Sequence, residues 1–293
     1  MQGLIVENIS NLYKIETKNG IYEANARGKL KNEEIVPTVG DNVNIKVLDE
    51  NNKKAIIEKI KERKVYVKRP KISNITQMVF VISSKNPKPD LLMLDKQLAF
   101  SEFLNLKAII VLNKTDLDSN QEFKNIKKMY ENIGYKVIQT QGKEKIGIDK
   151  LKKMLNNNIN VFSGNSGVGK STLINAIFNQ KLTEEGEISF KNKKGKNTTT
   201  SIKLYRIDEN AYIADTPGFS TFDISEIKSN YLDRYFKEFK EYTNDCEFVG
   251  CTHIKEEKCG IKSAVERKKI SKDRYDRFCK IYIELKDKEN KKW

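Results

Sequence analysis

The chain has 293 residues, and 55 Lys and Arg against 40 Asp and Glu give it a formal net charge of +15. Apolar residues make up 38% and recur in periodic clusters, which excludes a disordered chain. The longest apolar runs, Met78–Ile82 and Ala108–Leu112, are too short to span a bilayer, and MQGLIVENIS lacks the layout of a secretory signal. Three of the four cysteines are crowded together, unlike a spread disulfide framework. The expectation is a cytoplasmic protein without a membrane partner. Excess positive charge suits a polyanion such as RNA, but it equally suits Lys- and Asn-rich composition on solvated faces.

Residues 1–69 read as five short strands, GLIVENI, YKIET, IYEANARG, NVNIKVLD and KAIIEKI, separated by turn residues. Five strands in this span predict a small OB-type β-barrel, a fold that often binds nucleic acid but also serves structural contacts. Arg63, Lys64, Lys68, Arg69 and Pro70 follow as a basic linker. From residue 70 to 225 buried strands alternate with amphipathic helices, which predicts βαβ units around a mainly parallel sheet with flanking helices. Beyond 226 the pattern turns helical and aromatic around a Cys/His cluster. The expected fold class is therefore multidomain α/β, with domains at 1–69, 70–225 and 226–293.

Gly164-Asn165-Ser166-Gly167-Val168-Gly169-Lys170-Ser171 satisfies G-x-x-x-x-G-K-[ST] and lies between strand-like INVFS and a helix-like stretch that includes Thr172. Its glycines allow backbone N–H groups to curl around phosphates at a helix N-terminus. Lys170 would reach the β- and γ-phosphates, and the Ser171 hydroxyl would ligate Mg²⁺. Asp215-Thr216-Pro217-Gly218 follows another apolar strand; Asp215 would hold Mg²⁺ through water, and the Gly218 N–H would contact the γ-phosphate. Asn113-Lys114-Thr115-Asp116 follows AIIVL. A carboxylate at Asp116 accepts from the guanine N1–H and amine, a donor pair that adenine lacks. Asn113 would brace the loop, and the Lys114 stem would pack on the base.

The order of these motifs is unusual, because NKTD precedes the P-loop. A cyclic shift preserves the three-dimensional site when the original termini are close, and this order marks a circularly permuted GTPase. The loop SFKNKKGKNTTTS carries the first switch. Thr199 is preferred among Thr198, Thr199 and Thr200 to complete the Mg²⁺ shell. The Lys-rich lead-in is either a solvated loop or an RNA contact.

Cys246, Cys251, His253 and Cys259 form C-x4-C-x-H-x5-C, and His253 is the only histidine in the chain. Cys₃His is a structural Zn²⁺ set of four ligands. Cys279 stands apart on an apolar helix face with Tyr275, Phe278 and Tyr282 and reads as core. That final helix, with Ser271 as its N-cap, carries Lys272, Arg274, Arg277 and Lys280 on its other face, open to solvent or to RNA.

Together, the barrel, NKTD, GNSGVGKS, the TTT switch, DTPGF and CEFVGCTHIKEEKC resemble the ribosome-small-subunit-dependent GTPase A family over nearly the whole chain. The resemblance implies an N-terminal OB domain, a central permuted GTPase and a C-terminal zinc-binding domain. It further implies a late-maturation factor that binds the 30S particle and its 16S rRNA, with GTP hydrolysis to GDP and phosphate stimulated by that particle. Two positions depart from expectation. Phe219 stands where classical GTPases often place a water-orienting Gln, a feature the family shares. Asn197 stands where the family carries a His before its switch threonines, and Asn cannot act as a general base. Slow intrinsic turnover is expected, with catalysis resting on Lys170, Thr199 and, to a limited extent, Asn197. Two other classes remain open: an RNA-binding module gated by nucleotide, and an ATP-dependent enzyme, against which Asp116 argues. No heptad or large apolar stripe asks for a second chain, so a monomer is expected.

Overall fold

The computed structural model describes residues 1–9, 11–26, 36–68, 70–118, 121–178, 202–215 and 224–291, with Asp215 described by its backbone alone. Contacts group the chain into two compact units. One comprises Met1–Val79, Gly142–Ser163 and Lys170–Ser220; the other comprises Phe80–Gln141, Gly164–Gly169 and Thr221–Trp293.

The first unit contains the predicted barrel. β1 (Gln2–Ile9) pairs antiparallel with both β2 (Leu12–Thr17) and β4 (Asn42–Asp49). β2 pairs with β3 (Gly20–Ala26), β3 runs parallel to β5 (Lys54–Ile60), and β5 returns to β4, which closes the ring. Alternate residues point inward: Ile5, Tyr13, Ile15, Tyr22, Val43, Ile45 and Ile57 are all buried. Closure leaves fewer strand edges open to mispairing.

The basic segment after β5 is not a free linker. The Arg63 guanidinium forks onto Asp41, with Nε and Nη2 donating at 2.7 Å to its two oxygens. Asp41 is fully buried and also accepts from Ser73 Oγ at 2.6 Å and Thr38 N at 2.8 Å. β6 (Tyr66–Lys68) and β7 (Lys71–Ser73) then form a hairpin. A buried carboxylate has claimed the arginine charge that looked available to RNA, while Lys64 and Lys68 remain exposed.

β8 (Gln77–Ser83) is buried at every position, as a strand covered on both faces must be. In the second unit β9 (Lys107–Asn113) and β10 (Lys136–Thr140) run parallel, with α1 (Leu91–Phe103) and α2 (Glu122–Asn132) beside them in sequence. The first unit also contains α3 (Ile148–Leu155), β11 (Ile159–Ser163), α4 (Lys170–Phe178), β12 (Lys203–Asp208) and β13 (Ala211–Asp215). β11 and β13 pair in parallel. Strand alternation with helices is thus as the sequence predicts.

The C-terminal part carries three short 3-10 segments before α5 (Gly260–Glu266) and α6 (Lys272–Asn290). Phe236, Phe239 and Phe278 pack with ring centroids 4.8–5.3 Å apart, and Cys279 lies against the same core. Ser271 occupies the N-cap of α6, but its side chain makes no capping bond. The expected basic face of this helix is corrected. Lys272 and Lys280 are exposed, whereas Arg274 and most of Arg277 are buried on Asp95. Among the described residues no helix is long and apolar enough to cross a membrane.

Candidate functional site

The apolar run of β9 drives the strand into the core and delivers Asn113 at its end, only 2% exposed. Asn113 Nδ2 donates to the Val168 carbonyl at 2.9 Å, and its Oδ1 accepts from Thr140 Oγ1 at 3.0 Å. One side chain therefore ties the NKTD turn to the phosphate loop and to the end of β10. Lys114 adopts a left-handed backbone (φ 61°), and its ammonium donates to the carbonyls of Asn86 and Gly167 at 2.5 and 2.7 Å. Asp116 lies exposed in the following 3-10 turn.

The phosphate loop needs glycine at two positions in particular. Gly164 has φ +146°, and a Cβ there would lie 2.2 Å from the Val81 carbonyl oxygen. Gly169 has φ +98°, and a Cβ there would lie 2.3 Å from Asn113 Nδ2. Both conformations strain any L side chain. Val168 is buried, while Ser166, Gly167, Ser171 and Thr172 are exposed. The loop runs directly into α4, whose first residue is Lys170. Burial lowers the pKa of the Lys170 ammonium, a cost that an anionic partner would offset.

Asn165 Nδ2 donates at 3.3 Å to Asp90, whose other carboxylate oxygen caps α1 by accepting from Met93 N at 2.9 Å. Neither Asp90 nor Thr140 was singled out in the sequence. The signal for Thr140 was its place at the end of a buried strand, but its partner lies 27 residues away. Asp215 ends β13. Its side chain, together with Asn197, Thr198, Thr199, Thr200, Gly218 and Phe219, lies outside the described residues.

Cys246, Cys251, His253 and Cys259 converge, with all their ligand atoms within 4.8 Å of one another. His253 Nδ1 lies 3.3 Å from Cys259 Sγ and 3.6 Å from Cys246 Sγ, and the two sulfurs are 4.0 Å apart. A tetrahedral ion with Zn–S bonds of about 2.3 Å sets its sulfurs about 3.8 Å apart, so the donor set fits a metal ion. Gly260 N donates to Cys246 Sγ at 3.3 Å. Burial pushes the Cys251 thiol up to about 12 and raises that of Cys259; a bound cation would reverse this by stabilising thiolate.

Glu256 shapes the ligand loop. Its carboxylate accepts from Thr252 N at 2.8 Å and from Ile254 N and Lys255 N at 3.1 Å. Burial alone would raise its pKa, but hydrogen bonds from the Thr252 backbone and hydroxyl and from the Ile254 backbone help hold it down to about 2. Tyr275 Oη donates to the His253 carbonyl at 2.6 Å, which helps fix His253 in its left-handed conformation (φ 63°).

A family model for the RsgA GTPase matches residues 60–225, and one for the RsgA N-terminal domain matches residues 2–57. The chain belongs to the RsgA GTPase family. It is a GTP-hydrolysing enzyme with a five-stranded N-terminal barrel, a permuted GTPase domain and a C-terminal Cys/His cluster able to hold a metal ion. The small ribosomal subunit biogenesis GTPase RsgA of Clostridium perfringens is 42% identical over 97% of this chain and 98% of that protein. Its counterpart in Clostridium novyi is 41% identical over the full length of both. Among solved structures, YjeQ from Thermotoga maritima superposes with a TM-score of 0.84 at 32% identity, covering 97% of this chain and 98% of that one. YloQ, described as a circularly permuted GTPase, superposes at 0.82 with 30% identity, covering 98% and 95%.

Proposed function

We propose that this RsgA-family GTPase binds the small (30S) ribosomal subunit through its 16S rRNA and acts in late maturation, with GTP hydrolysis stimulated by the particle. The observation that carries the nucleotide assignment is the bond from Asn113 to Val168. It joins the guanine-reading motif to the phosphate loop across 55 residues of sequence, in inverted motif order. Relatives named for small-subunit biogenesis support the partner. So do the +15 charge and the OB-type barrel. The reading places domains at 1–69, 70–225 and 226–293, in a cytoplasmic monomer.

In this reading Asp116 accepts from the guanine edge while Asn113 and Lys114 hold its turn against the loop. Backbone N–H groups of residues 164–172 bind the phosphates, and Lys170 neutralises charge that develops on the β–γ bridge as water displaces GDP from the γ-phosphoryl group. Gly218 donates to the γ-phosphate. Ser171 and Thr199, with Asp215 through water, would hold Mg²⁺, which supplies further charge neutralisation. Asn197 can position water by hydrogen bonding but cannot remove its proton, which fits slow turnover without the particle. Cys246, Cys251, His253 and Cys259 would hold one Zn²⁺, whose contribution is to fold the ligand loop.

GTP turnover measured with and without purified 30S subunits, at moderate and high salt, tests the reading. Stimulation that fades with salt is expected, because phosphate contacts weaken by counterion competition. Tight GTP binding with no stimulation would overturn the partner assignment and favour a nucleotide-gated binding module.

A further inference from the structure

We propose that Asp233 is the carboxylate that orients His253 for its metal, accepting the Nε2–H so that Nδ1 alone faces the three sulfurs. The inference rests on the reading that the Cys₃His cluster takes Zn²⁺. His253 is 2% exposed, and its Nδ1 points at Cys246 and Cys259. The opposite nitrogen is buried and has no hydrogen-bond partner among the described residues. The carboxylate facing it is Asp233, with Oδ2 3.7 Å from Nε2. That separation is within ion-pair range, which places Asp233 opposite the nitrogen that faces away from the sulfurs.

The chemistry favours one tautomer. With the proton on Nδ1, an N–H would point into the thiolates and block a metal, and the lone pair on Nε2 would face a carboxylate. With the proton on Nε2, Asp233 gains a donor and Nδ1 offers its lone pair to the ion. Metal-ligating histidines commonly donate their second nitrogen to such a partner. The surroundings hold the ring for it. Phe239 and Phe278 flank the imidazole with centroids 6.1 and 6.3 Å away, and Tyr275 pins the His253 carbonyl. Asp233 is itself placed by a tight turn in which Phe236 N donates to its carbonyl at 3.1 Å. The aromatic rings limit the plane of the imidazole, and Asp233 sets which nitrogen points inward.

Because His253 is the only histidine in the chain, ¹⁵N-histidine labelling of the full protein reports a single imidazole. Zinc stoichiometry of the purified parent is measured first, since a parent that binds no zinc would overturn the metal reading and this inference with it. In the Zn²⁺-loaded parent the expected spectrum shows a metal-bound Nδ1 and a protonated Nε2 whose proton exchanges slowly. Asp233→Ala should speed that exchange and weaken Zn²⁺ retention against a chromogenic chelator by about 10- to 100-fold. Asp233→Asn, whose amide oxygen still accepts, should fall between. Zinc bound in the parent through Nε2 would overturn the inference without touching the metal reading, even if Asp233→Ala fails to fold. Parent-like exchange and zinc retention in both variants would do the same.

Discussion

Asp95 of α1 and Arg274 of α6, 179 residues apart in sequence, form an ion pair with side chains 0% and 1% exposed. Arg274 also reaches Glu238, Arg277 takes the second oxygen of Asp95, and the Tyr130 hydroxyl donates to Asp95 at 2.6 Å. Burial opposes charge on Arg274, but attraction to Asp95 and Glu238 outweighs it and raises its pKa well above normal. Within this cluster two arginines and two carboxylates balance.

Breaking one side of such a cluster costs more than the pair itself contributes, because the remaining charges lose their partner in a dry site. Arg274→Ala should destabilise the protein by about 3–5 kcal/mol, read by urea unfolding. A loss below about 1 kcal/mol, the value of an exposed pair, would show that water reaches the cluster.

Gly169→Ala would push a Cβ into the Asn113 amide at a backbone angle that alanine resists. Fluorescent GTP titration should show at least a tenfold loss of affinity, equivalent to about 1.4 kcal/mol, with an unchanged far-UV spectrum. Parent-like affinity would mean that the Asn113 brace does not shape the loop.

Asp116→Asn removes the charged acceptor proposed to read guanine. Hydrogen bonds to charged groups contribute about 1.5–3 kcal/mol, so GTP and GDP should bind roughly 10- to 100-fold more weakly and the preference over ATP should shrink. Equal binding of GTP and GDP by parent and variant would remove Asp116 from base recognition.

The Cys₃His cluster packs against Phe239 and Phe278 through His253, so stripping its metal should loosen that core. Metal analysis should find one zinc per chain. A metal held at a hundred times its dissociation constant contributes about 2.7 kcal/mol, so a chelator should lower the melting temperature and weaken the near-UV aromatic signal. A zinc-free protein that melts at the same temperature with and without chelator would exclude the structural role.

What the sequence determined by itself is what lies close along the chain. Period-2 and period-3.6 patterns placed the barrel strands and α3 as observed, because each residue's burial there repeats with the local backbone geometry. The motif at 164–171 and the cluster from Cys246 to Cys259 were legible for the same reason: their partners are near neighbours, so residue type and spacing carry the chemistry. The tertiary structure alone decided which charges are buried. Arg63, Arg274 and Arg277 look in sequence like Lys64 and Lys272, yet the arginines are drawn onto buried carboxylates of Asp41 and Asp95 while the lysines stay in water. Thr140 and Asp233 likewise give no local sign of their partners, since each faces a residue at least 20 positions away. Burial of a charge depends on whether a distant opposite charge arrives in the same dry place, and no local period encodes that meeting.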